Sequence, residues 1–222
     1  MTETDPRIEE AIGAVFAADT LEERHAARDV LADLVEQFPE DARLHEGLGM
    51  AYFFLNDQRQ CLQHLDLAVD LSPGEVTFRV NRGRVRNAMH QYSEAEADFR
   101  KAIELAPENA IAYILLGDVL RAVGDAKGGL AAYQDALRHD PEVPGAYSGL
   151  TVLFADQGKH EQAMQHADRL VELVPDIALG WGKRADIELA MERYQAALDD
   201  YHKAAELAPE DKIGRASCRE RV

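Results

Sequence analysis

The chain of 222 residues is 46% hydrophobic and 29% charged, with 24 Lys and Arg against 41 Asp and Glu, a formal net charge of −17. So acidic a chain is poorly suited to wrapping nucleic acid, whose phosphates are neutralised by Lys and Arg, or to lying on an anionic membrane. No apolar run reaches the ~18 residues that span a bilayer, the start MTETDPRIEE lacks the basic and apolar parts of a signal peptide, and Cys61 and Cys218 are too few for a disulfide framework; the expected compartment is a reducing cytoplasm.

The prolines set the frame. Pro39, Pro73, Pro107, Pro141, Pro175 and Pro209 stand 34 residues apart, with only Pro6 and Pro144 off the grid. In chain order, residues 1–41 keep the late columns (Ala27, Leu31, Leu34, Pro39) without the early ones and are expected to form a degenerate N-terminal cap. Five full units follow: 42–75, 76–109, 110–143, 144–177 and 178–211. Twelve residues before each grid proline lies a small residue: Ala27, Cys61, Ala95, Gly129, Ala163, Ala197. Eight before it lies Leu31, Leu65, Phe99, Tyr133, Ala167 or Tyr201, and five before it Leu34, Ala68, Ala102, Ala136, Leu170 or Ala204. Two antiparallel helices approach closely only where one presents a small residue, and a proline beyond the second helix stops it. Asn56-Asp57, Gly124-Asp125 and Gly158-Lys159 mark turns inside units; Thr20 with Glu23, and Ser93 with Glu96, have the spacing of capping boxes. No run alternates with period two for long enough to make a strand. The expected fold is all-α, with about twelve helices.

These columns resemble the tetratricopeptide repeat. The unit 110–143 carries its pattern as Tyr113, Leu116-Gly117, Leu120, Gly129, Tyr133, Ala136 and Pro141; the unit 42–75 carries Leu48-Gly49, Tyr52, Cys61, Leu65, Ala68 and Pro73. The resemblance implies a right-handed superhelical solenoid of antiparallel helical hairpins. After Asp211 the pattern stops, and residues 212–222 resemble a conceptual translation of a common sequencing-adaptor oligonucleotide. On that reading the tail is not native, its net +3 leaves −20 on the rest, and the chain is a fragment whose last unit lacks a polar capping helix.

Catalytic, cofactor and metal motifs are not found. His160-Glu161-Gln162-Ala163-Met164-Gln165-His166 lacks a histidine four residues after the first, so a zinc-protease helix is not made and both histidines are expected on a solvated surface. Gly47-Leu48-Gly49 and Gly128-Gly129 have neither a preceding strand nor a following Lys-Ser/Thr, and Cys61 in the small-residue column is expected to be a buried structural thiol. No enzyme activity, cofactor or metal is expected of residues 1–211. The charged exception in an apolar column is more informative. Leu48, Arg82, Leu116, Leu150 and Arg184 stand seven residues into each unit, and His64, Asp98, Ala132, His166 and Asp200 sixteen residues later. Arg and Asp occur together, which predicts the ion pairs Arg82–Asp98 and Arg184–Asp200 across a hairpin, since a buried arginine alone costs roughly 3–5 kcal/mol.

The resemblance also implies that the first helix of each hairpin lines a groove for a peptide or partner protein. Carried over by position, the peptide-binding set is Met50, Phe53, Val80, Arg84, Asn87, Ile114, Asp118 and Arg121, with Arg43, Glu46, Thr77, Ile111, Ser148, Val152, Ala155, Gly182, Asp186 and Leu189 along the same faces. Some family members hold a chaperone's terminal carboxylates with Lys, Asn, Asn, Lys and Arg; here those positions hold Glu46, Met50, Asn81, Ile111 and Leu115, and only Asn81 fits. Arg84 and Arg121 suit an acidic group, whereas the overall charge favours basic partners at long range. The sequence is therefore expected to encode a protein-interaction module. Two other readings stand beside it. One is the recruiting arm of a larger enzyme, for example a bacterial sulfotransferase or glycosyltransferase. The other is self-assembly through Leu198, Tyr201 and Ala205.

Overall fold

A computed structural model describes residues 5–208; the 212–222 tail therefore lies outside the described residues. Twelve helices, and no strand, are found among them. They form six hairpins: α1 (Pro6–Ala17) with α2 (Leu21–Gln37), α3 (Ala42–Phe54) with α4 (Gln58–Leu71), α5 (Val76–Ala88) with α6 (Tyr92–Leu105), α7 (Ala110–Ala122) with α8 (Ala126–His139), α9 (Pro144–Asp156) with α10 (His160–Leu173), and α11 (Ala178–Ala190) with α12 (Tyr194–Leu207). The chain divides into two compact units, one ending at Pro107 and the other beginning at Glu108.

Proline spacing fixes where second helices end. α2, α4, α6, α8 and α10 each stop two residues before a grid proline. The intervening residue (Phe38, Ser72, Ala106, Asp140, Val174) leaves the helical region, with φ between −138° and −131° and ψ between 63° and 98°, since the pyrrolidine ring disfavours helical backbone in the residue before it. The proline carbonyl is then claimed from six residues downstream. His45 Nε2 meets Pro39 O at 2.9 Å, Arg79 Nη2 donates to Pro73 O at 3.0 Å, Tyr147 Oη to Pro141 O at 2.9 Å and Trp181 Nε1 to Pro175 O at 2.8 Å. Four different donors thus satisfy the same orphan acceptor between successive hairpins.

The turn inside each full hairpin needs a left-handed residue at one position, filled by Asn56 (φ 60°), His90 (59°), Gly124 (85°), Gly158 (69°) and Glu192 (61°). Caps are less regular. Thr20 and Glu23 form the expected capping box, and Asp57 and Asp125 cap α4 and α8. Ser93 does not cap: α6 begins one residue before it, at Tyr92, with Gln91 as a cap that makes no side-chain hydrogen bond. The 34-residue register overrides the local signal, and Glu96 pairs with Arg100 instead.

Close packing explains the glycines that stand 24 residues before a grid proline. A Cβ on Gly49, Gly83 or Gly117 would lie 2.8 Å from Leu65 Cγ, 2.6 Å from Phe99 Cε1 and 2.6 Å from Tyr133 Cε1, respectively. In the next unit the same place holds Thr151, opposite the much smaller Ala167, so volume is traded across the interface. In the first unit, Ile8, Ala11, Val15, Ala27, Leu31, Leu34, Leu44 and Leu48 form the core of α1–α3. In the second, Tyr133, Leu150, Leu153, Phe154, Ala163 and Ile187 do so. First helices also touch one another, α1 with α3 in the first unit and α7 with α9 and α9 with α11 in the second, so each unit has a face built from first helices.

Candidate functional site

In the first unit this face is contributed by α3 and α5. Met50 is half-buried against the α1–α3 core, and Val80 is buried. Phe53 is 37% exposed, its ring edge-on to Phe54 at 5.8 Å. Glu46 is not available as a groove residue: it is buried and accepts a hydrogen bond from Asn81 Nδ2 at 2.6 Å, with burial pushing its carboxyl above the ordinary range. That bond also occupies Asn81, the one residue that matched the carboxylate-holding pattern. Arg43 is held by Asp41 and Glu9, whereas Arg84 is exposed and Asn87 half-buried.

α7, α9 and α11 supply the corresponding face of the second unit. Ile114 packs on the core. Asp118 accepts from Tyr133 Oη at 2.7 Å, and burial raises its pKa, the tyrosine hydroxyl offsetting part of the rise. Arg121 donates through Nη1 to Asp156 at 3.1 Å, 35 residues away, and its buried Nε has no hydrogen-bond partner among the described residues. Lys183, absent from the sequence-derived set, sits half-buried in the same field; burial and then the nearby Arg121 lower its pKa, while Asp186, Asp118 and Asp156 oppose that. Asp186 accepts from Tyr201 Oη at 2.5 Å.

Both expected ion pairs form and are larger than expected. Arg82 Nε and Nη2 donate to Asp98 at 3.0 and 2.5 Å, Arg82 Nη1 reaches Asp66 at 2.9 Å, and Arg86 bridges the same two carboxylates. Arg184 repeats the pattern with Asp200 and Asp168. Asp66 and Asp168 lie sixteen residues before their arginines, as Asp98 and Asp200 lie sixteen after, so a backward step along the same columns finds them. These carboxylates tie each arginine-bearing first helix to the second helices on either side of it. They are structural and leave none of the guanidinium groups of Arg82, Arg86 and Arg184 free for a ligand.

The histidines divide differently from the sequence expectation. His166 is half-buried and stacked on Phe154 at 5.4 Å, and burial lowers its pKa; it is not a solvated surface residue. His45 is buried, its Nδ1 3.1 Å from His64 Nδ1, with Tyr52 stacked on His64. Among the described residues no three His, Cys, Asp or Glu come together as a metal site. Cys61 is buried as expected, and burial pushes its thiol up to about 12. No described helix is long and apolar enough to cross a membrane.

Two tetratricopeptide repeat models match the chain, one over residues 17–76, 80–144 and 115–178, the other over 178–211. The Hsp70-Hsp90 organizing protein of Triticum aestivum is 34% identical over 102 residues, which is 46% of this chain and 18% of that protein. The chain spans less than half the length of the curated relatives it matches. Among solved structures, the type IV pilus biogenesis factor PilW aligns with a TM-score of 0.79 at 16% identity, covering 96% of this chain and 99% of that one. YrrB, a TPR protein with an unusual peptide-binding site, aligns with a TM-score of 0.55 at 22% identity over 85% and 97% of the two chains. At these identities the structural likenesses carry the fold. With family models matching most of its length, and with the helical hairpins and proline register described above, the chain belongs to the tetratricopeptide repeat family.

Proposed function

We propose that the chain is a protein-interaction module that binds an extended peptide segment of another protein on its first-helix faces. The proposed contacting residues are Met50, Phe53, Val80, Arg84 and Asn87 on the face of the first unit and, on the face of the second taken by itself, Ile114, Asp118 and Arg121. The observation that carries this reading is Phe53, a large apolar side chain left 37% exposed beside the half-buried Met50, an arrangement suited to an apolar anchor. A solved structure of the same fold, YrrB, has a peptide-binding site, and Hsp70-Hsp90 organizing proteins are among the sequence relatives. Within the set, Val80 is buried and Met50 half-buried, while Phe53 and Arg84 are exposed. Peptides selected from a displayed library on the intact chain should lose affinity on Phe53→Ala/Arg84→Ala. If every selected peptide binds that double variant as tightly as the parent, the site is in the wrong place.

A further inference from the structure

We infer that the segment bound by the first unit carries a carboxylate side chain, which docks on Arg84 beside an apolar residue on Phe53; this rests on the proposed peptide-binding role. The inference starts from an exception. In a chain with net charge −17, an arginine readily finds a carboxylate, and nearly all the arginines of α3 and α5 have an acceptor. Arg43 is held by Asp41 and Glu9, Arg79 by the Pro73 carbonyl, and Arg82 and Arg86 by Asp66 and Asp98. Arg84 alone on these two helices is exposed and has neither an ion pair nor a side-chain hydrogen bond among the described residues.

The repeat itself shows why. Arg84 shares a column with Asp118 and Asp186, and each of those charges is satisfied from inside its own hairpin, fifteen residues on, by the hydroxyl of Tyr133 or Tyr201. Fifteen residues after Arg84 stands Phe99, fully buried against Gly83, with no polar atom to offer. The column that is polar and internally closed in those two repeats is therefore open at Arg84. Arg121, the other arginine of the proposed set, is already engaged by Asp156. An incoming carboxylate thus has an open guanidinium at Arg84, where a two-pronged charge-assisted bond can form. The negative charge of the whole chain opposes the approach of an acidic segment, but that field is screened beyond ~8 Å at physiological salt, whereas the docked pair is in contact.

The test uses a displayed library of random twelve-residue peptides, panned on the intact chain and on Arg84→Glu. The parent should enrich peptides with one recurrent Asp or Glu near an aromatic or aliphatic residue, and changing that acid to its amide should weaken binding about tenfold. Arg84→Glu should reject those peptides and select Lys or Arg at the same place. Arg84→Gln, in which no charge is reversed, should lose the acidic preference without gaining a basic one. Circular dichroism should show all three proteins equally helical, because Arg84 is exposed. Peptides that bind the parent with no acidic preference, or that are basic, or that bind Arg84→Glu unchanged, overturn the inference while leaving a peptide groove in place. Failure to enrich any peptide whose binding depends on Phe53 overturns the groove and the inference together.

Discussion

Arg82 is gripped by Asp98 across the α5–α6 hairpin through two hydrogen bonds, in a site where the Asp98 side chain is 3% exposed. Removing the buried carboxylate leaves two guanidinium groups, on Arg82 and Arg86, with only the half-exposed Asp66 between them. Asp98→Ala should therefore cost roughly 3–5 kcal/mol in urea unfolding, and Asp66→Ala no more than about 1 kcal/mol. Equal effects from the two variants would show that burial does not govern the pair.

Acid should loosen the first full hairpin. His45 Nε2 must donate to the Pro39 carbonyl, so His45 Nδ1 is the acceptor and His64 Nδ1 carries the proton between them. Burial, with His45 alongside, holds His64 below the ordinary histidine range, so the folded state keeps it neutral. The unfolded chain then binds the extra proton more readily. Stability present at pH 7.5 is lost as the pH falls through about 6.5, by at most about 1.4 kcal/mol per pH unit for each such histidine. His166 acts in the same direction in the second unit. Urea midpoints between pH 7.5 and 5.5 should decline for the parent and flatten in His64→Phe/His166→Phe.

Tyr133 fills space left by two glycines, Gly117 on α7 and Gly149 on α9. A Cβ on Gly149 would lie 2.3 Å from Tyr133 Cε1. Gly149→Ala should cost about 1–3 kcal/mol by overpacking. In a Tyr133→Ala background the same change should cost almost nothing, and a double-mutant cycle without coupling would contradict the contact.

Glu192 adopts φ 61° at the turn position where Gly124 and Gly158 stand in other repeats. A side chain is strained there, so Glu192→Gly should stabilise the second unit by roughly 0.5–1 kcal/mol after the added flexibility of the unfolded chain is counted. Gly124→Ala should do the reverse, and thermal unfolding of the two variants would check both signs.

Glu46 has a raised pKa because it is buried, and among the described residues its hydrogen-bond partner is the Asn81 amide. Glutamine offers the same acceptor oxygen without a buried charge. Glu46→Gln should hold or raise stability at pH 7, by roughly 1 kcal/mol, while Glu46→Ala strands Asn81 and should lower it. Loss of stability in the glutamine variant would mean that the charge itself is needed.

Much was legible in the sequence because repetition makes local chemistry countable. The period of 34 and its prolines gave the hairpins, since a ring that cannot continue a helix stops each second helix at the same place. Joint substitution gave Arg82–Asp98 and Arg184–Asp200, since a buried guanidinium cannot be left alone. Ser93 shows the limit: a sound local cap signal yields to a helix start imposed by packing of the whole unit. What only the tertiary structure decided lies in contacts between first helices of successive hairpins, which the columns within a hairpin do not reveal. Asp156 takes Arg121 across 35 residues, Asn81 is spent on Glu46, and Lys183 enters the face of the second unit. Whether a charge is available to a partner depends on whether another side chain reaches it first. That is a matter of ångströms between helices, and periodicity fixes the helices without fixing those distances.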